Sequence, residues 1–169
     1  MAEIVIPYTP RPLQAELHRK LTEHRWSVVV CHRRWGKTVA AINHLLRDAI
    51  LCQRKSPRLH YIAPTNRMAK QVAWDYVHQF AGDIPAVKFN ETELRCDLPN
   101  GARLTLLGGE DPSRLRGIYS DGIVIDETAD MPESVFPEVL RPALADRGGY
   151  AIFIGTPRGH NAFFDYWQL

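Results

Sequence analysis

The chain has 169 residues, 45% hydrophobic and 24% charged, proportions that suit one globular domain with a sizeable core. No apolar run approaches the ~20 residues that cross a bilayer, and Met1–Pro7 lacks the basic start and long apolar segment of a secretory leader. A net charge of +2 is too small to argue for nucleic-acid binding by itself.

Residues 7–24 open with Pro-Tyr-Thr-Pro-Arg-Pro and continue as a helical pattern. Leu13, Leu17 and Leu21 form its apolar stripe, and Pro12 is tolerated in the first turn. Gln14 lies beside that stripe. Its amide both donates and accepts, so it could read an adenine edge; an exposed helical glutamine is the plainer alternative.

The apolar run Val28-Val29-Val30 then feeds Cys31-His32-Arg33-Arg34-Trp35-Gly36-Lys37-Thr38, and a helical pattern leaves it over 38–53. Strand, tight loop and helix N-terminus are the context of a Walker A phosphate loop, although Cys31 stands where that pattern has its first glycine. Backbone N–H groups of the loop and the positive end of the helix dipole would hold phosphates. Lys37 would reach the β- and γ-phosphates of ATP, and the Thr38 hydroxyl would ligate Mg²⁺. Cys31 borders this pocket, either as a thiol open to alkylation or as an inert buried cysteine. The three cysteines, Cys31, Cys52 and Cys96, are odd in number and widely spaced, as expected in a reducing, intracellular setting.

Arg54-Lys55-Ser56-Pro57 ends the helix. Leu59–Ala63 reads as a second strand, and Pro64-Thr65-Asn66 turns into a helix over 67–80 with Met68, Val72, Val77 and Phe80 available for its buried side. This alternation predicts an α/β domain with a mainly parallel sheet flanked by helices. Residues 94–98 and 102–107 flank Pro99-Asn100-Gly101, the signature of a β-hairpin inserted into or appended to that sheet.

Residues 108–120 form a polar, glycine-rich loop carrying Arg114 and Arg116. The short apolar strand Gly122–Asp126 follows and delivers Asp126 and Glu127 at its carboxyl end, where α/β sheets place ligands. This is a Walker B pattern. Asp126 would hold Mg²⁺ through water, and Glu127 could act as general base on an attacking water. Charge is distributed accordingly: residues 11–37 carry seven Lys/Arg against two acids, and 108–147 nine acids against four Lys/Arg. Two unrelated solvated faces would produce the same asymmetry. Residues 132–146 look helical but hold Pro137 and Pro142, so a kinked or broken helix is expected. A further core strand, 150–154, stops at Gly155-Thr156-Pro157, where Thr156 could sit beside the γ-phosphate. An aromatic segment from Asn161 to Leu169 reads as helical.

The ordered series PRPLQAELH, CHRRWGKT, YIAPTNRMAKQVA, SRLRG, GIVIDE and FIGTPRG resembles the N-terminal ATPase domain of a tailed-phage terminase large subunit over nearly the whole chain. The substituted first glycine is typical of that family. The resemblance implies an additional-strand, catalytic-glutamate P-loop NTPase that moves double-stranded DNA into a procapsid. It implies ATP and Mg²⁺ as cofactors and a small terminase subunit as partner. It also implies a homo-oligomeric ring on the portal, with a chain that could be monomeric in isolation, in the host cytoplasm and away from membranes. By motif position it makes Gln14 the adenine-reading residue and puts Thr156 in a coupling motif. Arg33 matches a phosphate-loop arginine proposed to meet the γ-phosphate, and Arg116 a proposed finger acting on a neighbouring subunit. A single ATPase domain over residues 1–169 is expected, without the family's lid and nuclease, hence weak ATPase and no nuclease activity. A helicase-like translocase is the nearest alternative, but Thr128-Ala129 depart from a DEAD-like signature. A non-catalytic ATP-binding assembly module is another.

Overall fold

A computed structural model describes residues 4–168. In chain order, α1 (Pro12–Glu23) leads to β1 (Trp26–Val30), α2 (Lys37–Leu51) and β2 (Arg58–Ala63). A helical stretch, 66–81, connects to β3 (Lys88–Asn90), β4 (Arg95–Asp97) and β5 (Arg103–Gly108). Then come β6 (Gly122–Asp126), a helical stretch over 135–145, β7 (Tyr150–Gly155) and the helix Ala162–Gln168. The strands form one sheet in the order β1-β7-β6-β2-β5-β4-β3. The β1–β7, β7–β6, β6–β2 and β2–β5 pairings are parallel, and β5–β4 and β4–β3 are antiparallel.

Strand alternation divides the core in two. Tyr61, Val124, Ile152 and Ile154 face α1, α2 and the 66–81 helix, together with Ile42, Leu45, Trp74 and Val77. Ile62, Ile123, Ile125, Ala151 and Phe153 face the 135–145 helix through Val139, Leu140 and Leu144. The central strands are buried on both faces, so they read as continuous apolar runs rather than alternating ones.

The hairpin at Pro99-Asn100-Gly101 is present and, as expected, appended to the main sheet, because β5 also pairs with β2. Leu98 N–H donates to Ala102 O at 2.9 Å across the turn, and Gly101 takes φ +82°, the left-handed position such a loop reserves for glycine. Three helix expectations shift. Helix α2 ends at Leu51 rather than 53. In the 66–81 helix a wide π-type turn over Ala69–Trp74 rotates the buried side. Ala69, Ala73 and Trp74 pack inward there, whereas Met68 and Val72 are 36% and 45% exposed. In α1, Leu13 is exposed while Gln14 is buried, reversing the expected stripe at those two positions. The proline-bearing segment forms a π-type turn over Val135–Leu140 that runs into a regular turn, Arg141–Ala145; the helix is wound irregularly but not broken.

Two histidines, half-buried His18 and buried His60, should make the fold acid-sensitive. His18 packs against Tyr8 and His44, and burial, then the charges of His44 and Arg47, push its pKa from 6.5 to about 4. His60 accepts or donates through Nδ1 to Ser120 Oγ at 2.8 Å, and burial, then Arg58, push it to about 4 against the pull of Asp121. Each therefore binds its proton more readily in the unfolded chain. Stability should fall as pH drops from about 6.5 toward 4, and the loss should level off below that. Thermal melts across this window should show a smaller pH slope for His18→Gln than for the native sequence; an unchanged slope would rule out His18 as a source.

Candidate functional site

The loop between β1 and α2 is locked at both ends. Cys31 N–H donates to Gly155 O at 3.0 Å, tying its start to β7. At its end Gly36 caps α2 with φ +89°, and a Cβ there would lie 2.9 Å from Gln14 Nε2. The left-handed conformation favours glycine here, and a Cβ would displace the Gln14 amide from its contact with the loop. Arg34 also has a left-handed φ of 65°, so the chain folds back twice within the loop. Its α2 N-terminus leaves backbone N–H groups without intrahelical partners, the ready anion cradle of P-loops.

Helix α1 braces this loop. Gln14 Nε2 donates to Gly36 O at 3.2 Å, and Arg11 Nη1 donates to Trp35 O at 3.3 Å. Gln14 Oε1 accepts the Arg11 N–H at 3.0 Å. The plainer alternative of an exposed glutamine is therefore corrected: Gln14 is 4% exposed, with its Nε2 engaged at the loop and its Oε1 at the start of its own helix.

The carboxylates arrive from β6. Asp126 is two residues beyond Val124 and shares its face, toward α2. Its Oδ2 accepts from Thr38 Oγ1 at 3.3 Å and from the Tyr61 hydroxyl, and its Oδ1 accepts the Glu127 N–H at 2.8 Å. Burial pushes the Asp126 carboxyl above the ordinary carboxylate value, while the Tyr61 hydrogen bond and the Lys37 charge oppose that rise. An extended residue 127 would point to the opposite face of the sheet. Instead Glu127 adopts a left-handed backbone, φ 46°, and its Oε1 lies 2.6 Å from Lys37 Nζ. That conformation is uncommon for any residue but glycine and is held in place by its surroundings. Thr128 Oγ1 donates to Ile125 O at 2.9 Å and closes the turn.

Strand β7 lies between β1 and β6, so the phosphate-loop strand and the acid-bearing strand are not neighbours. The side chains nevertheless converge, because Lys37 and Thr38 begin α2, which crosses over the sheet toward β6. Thr156 follows β7 at the same end. Gly155, just before it, accepts from Cys31 and sits against the Glu127–Thr128 backbone. Beyond it Arg158 Nη1 contacts both Asp130 oxygens, at 2.6 and 2.9 Å, strapping this loop to the turn after Glu127.

Of the sequence-expected site residues, Gln14, Gly36, Lys37, Thr38, Asp126 and Glu127 are brought together. Cys31 lies under the loop, 7% exposed, and burial raises its thiol pKa, which corrects the accessible-thiol reading. His32, Arg33 and Arg34 are exposed on the loop, Trp35 is half-buried, and Arg116 is exposed just after a short helical turn, Pro112–Leu115, anchored by buried Leu115. Sequence reasoning missed Tyr61, Arg11 and the Arg158–Asp130 strap, since none sits in a spacing that signals chemistry.

Thr38 and Asp126 are hard oxygen donors suited to Mg²⁺, which is bound by one or two protein groups with substrate phosphates completing its shell. Among the described residues no group of three His, Cys, Asp or Glu could hold a metal without such a substrate.

Sheet order and loop together define a P-loop NTPase of the additional-strand, catalytic-glutamate type. The family model described as terminase large subunit, T4likevirus-type, N-terminal matches residues 32–168, and the chain belongs to that family. The terminase large subunit of Thermus virus P23-45 is 28% identical over 184 residues, covering 98% of this chain and 37% of that protein. That of Escherichia phage T5 is 25% identical over 148 residues, covering 85% and 33%. The Thermus phage P74-26 large terminase ATPase domain superposes with a TM-score of 0.78 at 27% identity, over 95% of this chain and 70% of that one. The bacteriophage HK97 large terminase shares the fold at 16% identity, with a TM-score of 0.77 over 95% of this chain and 36% of that one. The chain thus spans 37% of the length of the first of these curated relatives. The terminase resemblance, not the helicase-like alternative, is the one the family match bears out.

With a buried thiol of raised pKa, Cys31 should react slowly with iodoacetamide at neutral pH, behind the half-buried Cys52. Peptide mass spectrometry of a labelling time course checks this; Cys31 labelled first would mean that the loop opens far more than its hydrogen bonds suggest.

Proposed function

We propose that the chain is the ATP-hydrolysing motor part of a phage terminase large subunit, which drives double-stranded DNA into a procapsid. The observation that carries the reading is the meeting of Lys37 and Thr38 with Asp126 and Glu127 at one end of the sheet. Family membership supports it.

In this reading the loop N–H groups and Lys37 bind the triphosphate, and Gln14, already fixed against Gly36, faces the base. Thr38 and Asp126 hold Mg²⁺, which when bound offsets charge on the β- and γ-oxygens. The phosphates compete with Glu127 for Lys37. Once Lys37 turns to them, Glu127 is released from its ion pair and can orient an attacking water and take its proton. Thr156 lies where loss of the γ-phosphate would be felt. Positive charge for the transition state comes from Arg33 in the loop itself or from Arg116 of a neighbouring copy. The second case makes hydrolysis depend on assembly into a ring, and an isolated chain would then turn over slowly. The portal, a small terminase subunit and DNA are the partners of this reading, in the host cytoplasm.

Two substitutions test it. By calorimetry Lys37→Ala should abolish ATP binding, and unchanged affinity would remove the loop assignment. Glu127→Gln should bind ATP and lose about 10²–10⁴-fold in turnover, the range of a general base. If the native chain and Glu127→Gln both bind ATP and neither hydrolyses it, even when assembled, a non-catalytic assembly module is the better description.

A further inference from the structure

Tyr61 belongs to no phosphate-loop or acid motif, yet its hydroxyl donates to the same Asp126 oxygen that Thr38 approaches. Strand geometry explains why it can. Tyr61 pairs with Val124 in the parallel β2–β6 register, so it shares a sheet face with Val124 and with Asp126 two residues farther on. The ring is 1% exposed and packed among α2 and strand side chains. A phenol is long enough to pass from one register position to the next, whereas leucine or valine at this site would end short of the carboxylate. Asp126 itself is 4% exposed. An ionised carboxylate at that depth must be hydrogen-bonded. Its three donors are divided: the Glu127 N–H holds Oδ1, and the two hydroxyls hold Oδ2. Of these donors, Thr38 is the one that the metal would claim, and the Glu127 backbone moves with its own turn. Tyr61 alone comes from a separate, rigid strand buried on both faces.

We propose that Tyr61 is a positioning residue: by donating to Asp126 Oδ2 it fixes the carboxylate rotamer from which Asp126, with Thr38, receives Mg²⁺. The inference deepens the ATPase reading and rests on it. Tyr61 touches neither nucleotide nor reacting atoms; it acts through Asp126. Buried groups that orient metal ligands typically contribute about 10- to 100-fold in metal affinity or activity.

The test is nucleotide binding by the full chain, native and Tyr61→Phe, measured by calorimetry with ATP in excess EDTA and with ATP in Mg²⁺. In the native chain Mg²⁺ should strengthen binding. In Tyr61→Phe the metal-free affinity should match the native value within about twofold, while the gain from Mg²⁺ should shrink about 10- to 100-fold. A full Mg²⁺ gain in Tyr61→Phe would overturn the inference, and so would equal losses with and without metal, which would mark Tyr61 as a packing residue only. The metal-free arm reports whether the variant is folded. Should the native chain itself gain nothing from Mg²⁺, or fail to bind ATP, it is the ATPase reading that fails, and the role of Tyr61 falls with it.

Discussion

The architecture depends on one electrostatic meeting: the Lys37 ammonium against the Glu127 carboxylate, with the Thr38 hydroxyl against Asp126 beside it. The two pairs come from opposite flanks of an intervening strand. Their convergence requires that α2 start at the carboxyl edge of β1 and lean across β7, and that β6 end at the same height. It also requires Glu127 to abandon the extended backbone. Each condition has a local cause. Gly36 permits the tight cap, α1 fills the space above it through Gln14 and Arg11, and Thr128 holds the turn that swings Glu127 back toward Lys37.

The surrounding fold serves to keep that edge rigid. Three central strands, β7, β6 and β2, are paired on both sides and buried on both faces, with apolar side chains packed against helices in two layers. Such an interior transmits position rather than absorbing it. The Cys31–Gly155 hydrogen bond and the Arg158–Asp130 ion pair extend the rigidity into the loops. A change at the phosphates would therefore reach the segment after β7, and with it the helix Ala162–Gln168, by short covalent and ionic paths. The Arg158–Asp130 pair is half-exposed and is a modest clamp on its own. Its value lies in joining two segments that both touch the site.

Much of this was legible in the residues. A hydrophobic run ending in Asp-Glu, and another ending in a Gly-Lys-Thr turn, state both the strands and which of their ends matters. The Asn-Gly pair located the hairpin. What could not be read was which strands would be neighbours: β7 enters between β1 and β6 from the end of the chain, a long-range pairing with no local mark. The wide turns at Ala69–Trp74 and Val135–Leu140 were also hidden, because a period of 3.6 assigns faces wrongly once an extra residue is wound in. Gln14 was marked by the family resemblance as an adenine reader, but its contact with Gly36 depends on α1 docking on the loop, which has no local signature. Tyr61 was invisible for a related reason, since an aromatic residue in a strand usually signifies packing alone.

The central claim is that one triphosphate, with its magnesium, is gripped from both sides of β7. A crystal structure of the chain with Mg²⁺ and a non-hydrolysable ATP analogue tests it most directly. It should show the phosphates in the Cys31–Thr38 loop, Lys37 turned from Glu127 to the phosphate oxygens, and the metal shared by Thr38 and Asp126. An analogue bound elsewhere, or bound with the Lys37–Glu127 pair intact and the metal away from Asp126, would contradict it.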